Sequence, residues 1–301
     1  MKRDFLTVWD LSEIEIRAII DRAVKLKLGE DRNRCPLMGK SVGLLFEKAS
    51  TRTRVSFERG IYQLGAQAIT MHASELQMGR GETIGDTAKT LSRYLDAIVI
   101  RTHEHSKIED FASSSSIPVI NGLSNRHHPC QVLADLLTLQ EKKGRLKGLR
   151  VAFVGDGNNV ANSLIEAASR MEINLIIASP EGYEPDPYVL ERAREGAKSE
   201  IIILRDPREA VGRADAVYTD VWVSMGQENE REERKRRFKP YQVNEELLLC
   251  AKSDAIVLHC LPAHRGEEIT DKVLDGSHSV VFDQAENRLH SQKALLEFLL
   301  T

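Results

Sequence analysis

Short apolar runs recur along the 301-residue chain and fall into two series. The first is "SVGLLF" (41–46), "QAITM" (67–71), "DAIVIRT" (96–102) and "IPVING" (117–122). The second is "RVAFVGD" (150–156), "NLIIASP" (174–180), "EIIILRD" (200–206), "AVYTDVW" (216–222), "AIVLHC" (255–260) and "SVVFDQ" (279–284). Each is a short, largely apolar run, and most hold several β-branched residues, so each predicts a strand. Segments of helical spacing lie between most of them. Continuous apolar strands alternating with amphipathic helices point to parallel sheets covered on both faces.

A long helical pattern, "HPCQVLADLLTLQEKKG" (128–144), separates the two series, and "AENRLHSQKALLEFLL" (285–300) follows the second. The expected fold is α/β, with two doubly wound parallel-sheet domains joined by bridging helices. The expected boundaries are 1–130 for a first domain, with helix 285–301 packing back on it, 131–149 for a bridging helix and linker, and 150–284 for a second domain. A cleft is expected where the carboxyl ends of the strands converge. No internal repeat or clear low-complexity segment interrupts this order. "SSSS" (113–116) reads as a loop or helix end, and "ENEREERKRRFK" (228–239) as a solvated helix face or mobile loop.

Composition narrows the function classes. Hydrophobic residues make up 42% of the chain and charged residues 29%, an ordinary globular mix. A formal net charge of −3 gives no general reason to expect nucleic-acid or anionic-membrane partners. The four cysteines, Cys35, Cys130, Cys250 and Cys260, form no CxxC pair. With no secretory leader evident before them, reduced thiols in a cytoplasmic setting are expected. No apolar run approaches membrane-spanning length.

Candidate chemistry gathers at the strand ends. After the first strand, "STRTR" (50–54) leads into a helical pattern. A helix amino terminus offers unpaired N–H groups and a positive dipole end, which suit phosphate. Ser50, Thr51 and Thr53 add hydroxyls, and Arg52 adds a fixed charge with bidentate geometry. Arg54 stands four residues before Glu58 and is placed to pair with it. A plain Ser/Thr cap with exposed arginines would read the same way. In "HHPCQVLADLLTL" (127–139), His128 and Gln131 can share a helix face and Pro129 suits a first turn. A metal site from His127, His128 and Cys130 has poor spacing. "FVGDGNNVANSL" (153–164) resembles a dinucleotide loop, but Val160 occupies the third glycine position and the next strand ends without an acid, which argues against a nicotinamide enzyme. Asn158 and Asn159 remain as polar groups at that strand's end. Asp220 follows another strand, and Cys260, Leu261 and Pro262 follow a third. A lone Cys260 fits a packed thiol as well as a reactive one. Arg288 alone reads as a surface residue.

Taken together and in order, these stretches resemble the carbamoyltransferase superfamily over nearly the whole chain. "STRTR" and "HPCQ" are similar to its carbamoyl-phosphate motifs. "DVWVSMG", "HCLP" and "AENRLH" are similar to those of its ornithine branch. The resemblance implies transfer of a carbamoyl group to the δ-amine of L-ornithine, with no metal and no organic cofactor. It implies a phosphate cradle of Ser50, Thr51, Arg52 and Thr53, with Arg101 reaching both phosphate and carbonyl. It matches His128 and Gln131 to groups that bind the carbamoyl moiety, with Pro129 and Cys130 between them. It matches Gln77, in "ELQMGRGET", to a loop residue reaching a neighbouring subunit's site in a homotrimer. Asn159, Asp220, Ser224 and Met225 match ornithine contacts, and Cys260, Leu261 and Arg288 the remaining site positions. Arg101, His128, Asp220 and Cys260 are the expected catalytic groups. Sister enzymes acting on putrescine, acylated ornithine or aspartate, and a non-catalytic carbamoyl-phosphate-binding subunit, are the alternatives.

Overall fold

The computed structural model describes residues 2–31, 34–77, 81–224 and 226–301. The chain divides into two compact units: residues up to Leu137 together with Glu286–Thr301, and Thr138–Ala285.

In the first unit, strands β1 (Ser41–Phe46), β2 (Gln67–His72), β3 (Ala97–Arg101) and β4 (Val119–Leu123) form one parallel sheet in the order β2-β1-β3-β4. Helices α1 (Glu13–Leu28), α2 (Thr51–Gln63), α3 (Ile84–Leu91) and α4 (His105–Ser114) accompany it. Central strands β1 and β3 are buried almost throughout, as their unbroken apolar runs require, whereas edge strand β2 alternates. Leu45, Ile98, Ile100, Ile108, Phe111 and Val119 belong to one core cluster under α4. Helix α1 begins in a capping box, Ser12 with Glu15, and ends at Gly29 in the left-handed region (φ 84°).

The second unit holds β5 (Arg150–Val154), β6 (Asn174–Ala178), β7 (Ile201–Leu204), β8 (Ala216–Thr219) and β9 (Ile256–His259), all parallel, in the order β7-β6-β5-β8-β9. Helices α6 (Asn159–Met171), α7 (Pro187–Gly196), α8 (Pro207–Val211), α9 (Arg231–Phe238), α10 (Glu245–Leu248) and α11 (Asp271–Leu274) belong to it. The chain passes between the units within α5 (Pro129–Lys143) and α12 (Val281–Leu300). Among the described residues, no helix is long and apolar enough to cross a membrane.

In both sheets the strand order reverses once, between β1 and β3 and between β5 and β8. Open α/β sheets bind ligands outside the carboxyl ends of the strands at such switch points. The residues that follow β1, β3, β5 and β8 therefore stand where such a ligand would lie.

Two expectations need correction. "SVVFDQ" is not a strand: Ser279 makes a single bridge to Val257, and α12 starts at Val281. Its buried positions include Val281, Gln284, Asn287 and Arg288, a helical spacing. Hydropathy cannot mark that face as inward when polar side chains carry it. Gln284 is satisfied there, accepting from the His259 N–H at 2.9 Å and donating to the Tyr218 hydroxyl at 3.1 Å. The charged run 228–239 is also not wholly solvated, because Arg234 and Phe238 of α9 are buried.

Candidate active site

The first unit gathers arginines and hydroxyls at the β1/β3 switch point. Ser50 caps α2, its hydroxyl accepting from the Thr53 N–H at 3.3 Å. Such a cap stabilises a helix by about 1 kcal/mol and fixes the direction of its first N–H groups. Thr53 is buried on the inner face of α2. Its hydroxyl accepts from two guanidiniums, Arg101 at 3.4 Å and Arg288 at 3.1 Å. Arg101 ends β3 and Arg288 lies on α12, both nearly fully buried. Arg288 also donates to Gln131 Oε1 at 2.7 Å, and the Gln131 amide donates to Asp135 at 2.9 Å. Arg54 points elsewhere, pairing with Glu58 at 3.0 Å.

His128 stands among these cations. Burial holds its imidazole well below the ordinary histidine range, and the charges of Arg288, Arg101 and Arg52 add to the effect. It is a neutral ring beside an arginine cluster, able to hydrogen-bond a carbonyl without adding another charge. Protonation is resisted only in the folded state, so the associated stability is full at neutral pH and is lost as the pH falls below the ordinary histidine range. We expect the His128 ring to remain neutral at pH 6 in an NMR titration, where an exposed histidine is mostly protonated. A ring that titrates in the ordinary range would contradict this environment.

Pro129 starts α5. Cys130 turns inward: its thiol donates to the Asn121 carbonyl at 3.4 Å, and burial pushes its pKa up to about 12. The side chain is a packed thiol. Gln77 is exposed on the segment after β2.

The second unit gathers a different set around Asp220, just past β8. One carboxylate oxygen accepts from the Asn158 amide at 2.7 Å, the other from the Cys260 thiol at 2.9 Å. Asn158 also caps α6, accepting from the Val160 and Ala161 N–H groups at 2.9 and 3.2 Å. Gly157 is required beside it, since a Cβ there would lie 2.2 Å from the backbone of Glu184 and Pro185. Asn159 is the first residue of α6. Ser224 is half-buried, with its N–H donating to Gln227 Oε1 at 3.0 Å. Met225 lies outside the described residues.

Behind Cys260, the Leu261 N–H donates to His259 Nδ1 at 2.8 Å, and His259 Nε2 faces Glu268 Oε1 at 3.0 Å. This pattern places the ring proton on Nε2. The fully buried Glu268 thereby orients the histidine that braces the Cys260–Leu261 turn, where Leu261 is left-handed (φ 56°). Asp220, His259 and Cys260 offer ligand atoms within 4.8 Å of one another, but these hydrogen bonds already engage both ring nitrogens of His259.

Sequence reasoning placed Thr53, Arg101, His128, Gln131 and Arg288 as candidates, and the first unit brings them together. It placed Asp220 and Cys260, and the second unit brings these together. It missed Asn158 as a partner of Asp220, as well as His259 and Glu268. The signal for Asn158 was available: an Asn directly before a helical pattern is a cap candidate. No local pattern links His259 to Glu268.

Comparisons with known proteins bear on the family and the fold. The family model for the aspartate/ornithine carbamoyltransferase carbamoyl-P binding domain matches residues 3–141. The model for the Asp/Orn binding domain matches residues 147–299. The chain is 55% identical to an ornithine carbamoyltransferase of Syntrophus aciditrophicus, covering 100% of both. It is 53% identical to that of Bacillus subtilis, covering 99% of this chain and 94% of the relative. Among solved structures, an ornithine carbamoyltransferase from Pyrococcus furiosus superposes with a TM-score of 0.95 at 50% identity, over 99% of this chain and 97% of that one. Two parallel sheets, an arginine-lined helix terminus and the full-length matches lead to one assignment: the chain belongs to the aspartate/ornithine carbamoyltransferase family, on its ornithine carbamoyltransferase branch.

Proposed function

We propose that this protein transfers the carbamoyl group of carbamoyl phosphate to the δ-amine of L-ornithine, giving L-citrulline and phosphate, as a step of arginine biosynthesis or a urea-cycle-type sequence. The observation that carries the reading is the cradle on Thr53, where Arg101 and Arg288 converge at the Ser50-capped end of α2. A dianionic phosphate fits such a site.

In this reading Ser50, Thr51, Arg52 and Thr53 hold the phosphate. Arg101 and His128 face the carbonyl oxygen, where charge builds as the amine attacks, and Gln131 with Arg288 fixes the carbamoyl group. The residues act by positioning and electrostatic preorganisation. The leaving group is already activated. The amine is the harder partner: a primary alkyl amine titrates near ~10.4, so presenting it neutral at pH 7 costs about 4–5 kcal/mol. Asp220 takes the α-ammonium, while Asn159 and the backbone near Ser224 take the α-carboxylate. Cys260, held against Asp220, orients the δ-amine. Met225 and Leu261 complete the contacts.

A citrulline assay on purified protein, with ornithine, putrescine, N-acetylornithine and aspartate in parallel, tests the assignment. Equal efficiency with putrescine would move it to a sister enzyme. Carbamoyl-phosphate binding without any turnover would make it a binding subunit.

The proposed assembly is a cytoplasmic homotrimer with Gln77 reaching a neighbouring subunit's site. Mixing inactive Arg52→Ala protein with a Gln77 loop deletion should restore part of the activity in hybrid trimers. No recovery, with subunit exchange confirmed, would return Gln77 to its own subunit.

A further inference from the structure

The charged run "ENEREERKRRFK" reads as solvent-facing, yet its Arg234 is buried to 6% exposure at the centre of a polar and aromatic knot. The guanidinium pairs with the equally buried Asp156 at 3.1 Å and with Glu230 at 2.9 Å. It donates to the Trp222 carbonyl at 2.9 Å and lies 4.8 Å over the Tyr183 ring. Phe238, one turn further along α9, packs edge-on to Tyr183 with centroids 4.9 Å apart and stacks on Trp222 at 6.1 Å.

These contacts join three strand ends. Asp156 lies in the β5 turn, two residues before Asn158. Tyr183 lies after β6, and its carbonyl accepts from the Gly157 N–H at 2.8 Å. Trp222 lies after β8, two residues from Asp220 on one side and Ser224 on the other. One side chain therefore holds both flanks of the Asn158–Asp220 pair and the start of the segment carrying Ser224.

We propose that Arg234, through its ion pair with Asp156, is a positioning residue for ornithine, setting the Asn158–Asp220 pair and the Ser224 segment in register. This rests on the ornithine reading above. Among the described residues, the partners of Arg234 are Asp156, Glu230, Trp222 and the Tyr183 and Phe238 rings, none of them assigned to ornithine. Arg234 acts on the turn that carries Asn158 and the carbonyl that anchors the Ser224 segment. Burial pushes the Asp156 carboxyl up to about 7 even with Arg234 beside it, so loss of the guanidinium also favours a neutral Asp156. Asp156→Asn, nearly isosteric, reproduces that neutral state with little change in packing.

The test uses Arg234→Met, Arg234→Lys, Asp156→Asn and the Asp156→Asn/Arg234→Met double variant of the full chain. Steady-state kinetics with each substrate are combined with amide hydrogen exchange at Val223, Ser224 and Gln227. Arg234→Met and Asp156→Asn are expected to raise the ornithine KM by about 10- to 100-fold, the scale of ångström misplacement, with the carbamoyl-phosphate KM within about 2-fold. The double variant should be little worse than the singles, since either change breaks the same link. Arg234→Lys should recover part of the loss, and the three amides should exchange faster in both single variants. An unchanged ornithine KM in Asp156→Asn overturns the proposal, even where Arg234→Met fails to fold. A parent protein that makes no citrulline would sink the ornithine reading instead. In that case unchanged exchange in Asp156→Asn still overturns the positioning role.

Discussion

Arg101→Ala and Arg52→Ala are each expected to lower kcat/KM by at least about 10³-fold, close to 4 kcal/mol of transition-state stabilisation. Arg101 ends a central strand, is almost fully buried and directs its guanidinium onto Thr53 beside the amino terminus of α2. Water cannot replace that charge in place, because a buried site has no mobile solvent with which to rebuild the field. The loss should appear with both substrates saturating, since the charge on the carbonyl oxygen and departing phosphate is greatest at the transition state. Circular dichroism and thermal unfolding distinguish the effect from misfolding. A folded variant with near-parental kcat/KM would remove that arginine from the mechanism.

Asp220→Asn is expected to reduce kcat/KM for ornithine by about 10²- to 10³-fold while leaving the carbamoyl-phosphate Kd within about 2-fold. Two effects act together. In the proposed reading, the charge opposite the α-ammonium is lost. The carboxylate also accepts on both oxygens, from Asn158 and from Cys260. An amide has one acceptor, so one of these donors would face an NH2 group instead. Calorimetry for carbamoyl phosphate and initial rates for ornithine separate the two substrates. Equal losses in both would show that Asp220 supports the whole fold rather than the ornithine half. The same physics bears on putrescine: it lacks both α-groups, so in the proposed reading it would leave these polar atoms desolvated and is expected to be disfavoured by about 10⁴-fold.

The candidate site was legible to different depths. Ser50–Thr53 could be read because hydroxyls and an arginine at a strand-to-helix junction have a local meaning: a cap and a dipole end. Arg288 could not be read that way. On hydropathy it is a surface residue of a closing helix, and only the resemblance to a known family marked it. Its partners Thr53 and Gln131 are 235 and 157 residues away in the chain. Arg234 was read as solvated for the same reason. A charge run shows how many charges there are, not which one turns inward toward Asp156. Asn158 and Asn159 are adjacent and chemically alike. The choice between them is made by backbone geometry at the start of α6, where the cap residue is extended and its side chain turns back toward Asp220.

By itself, the sequence determined the strands of both sheets, though it also read "SVVFDQ" as a strand where the start of α12 lies. The central strands are apolar without interruption because both faces are covered, while edge strands β2 and β7 are partly exposed. That period, together with helical spacing between strands, suffices for parallel α/β sheets. It also marked the candidate strand ends, since polar and charged residues directly after an apolar run stand at a sheet's carboxyl edge. The tertiary structure decided the strand order, and with it the two switch points that bring β1 beside β3 and β5 beside β8. It decided which polar side chains are buried, among them Arg101, His128, Gln284, Arg288, Arg234 and Glu268. The reason is physical. Burial of an apolar side chain is favourable against almost any apolar neighbour, so it can be read locally. Burial of a charge or an amide is tolerated only where a specific partner meets it, and in this protein many of those partners lie far away along the chain.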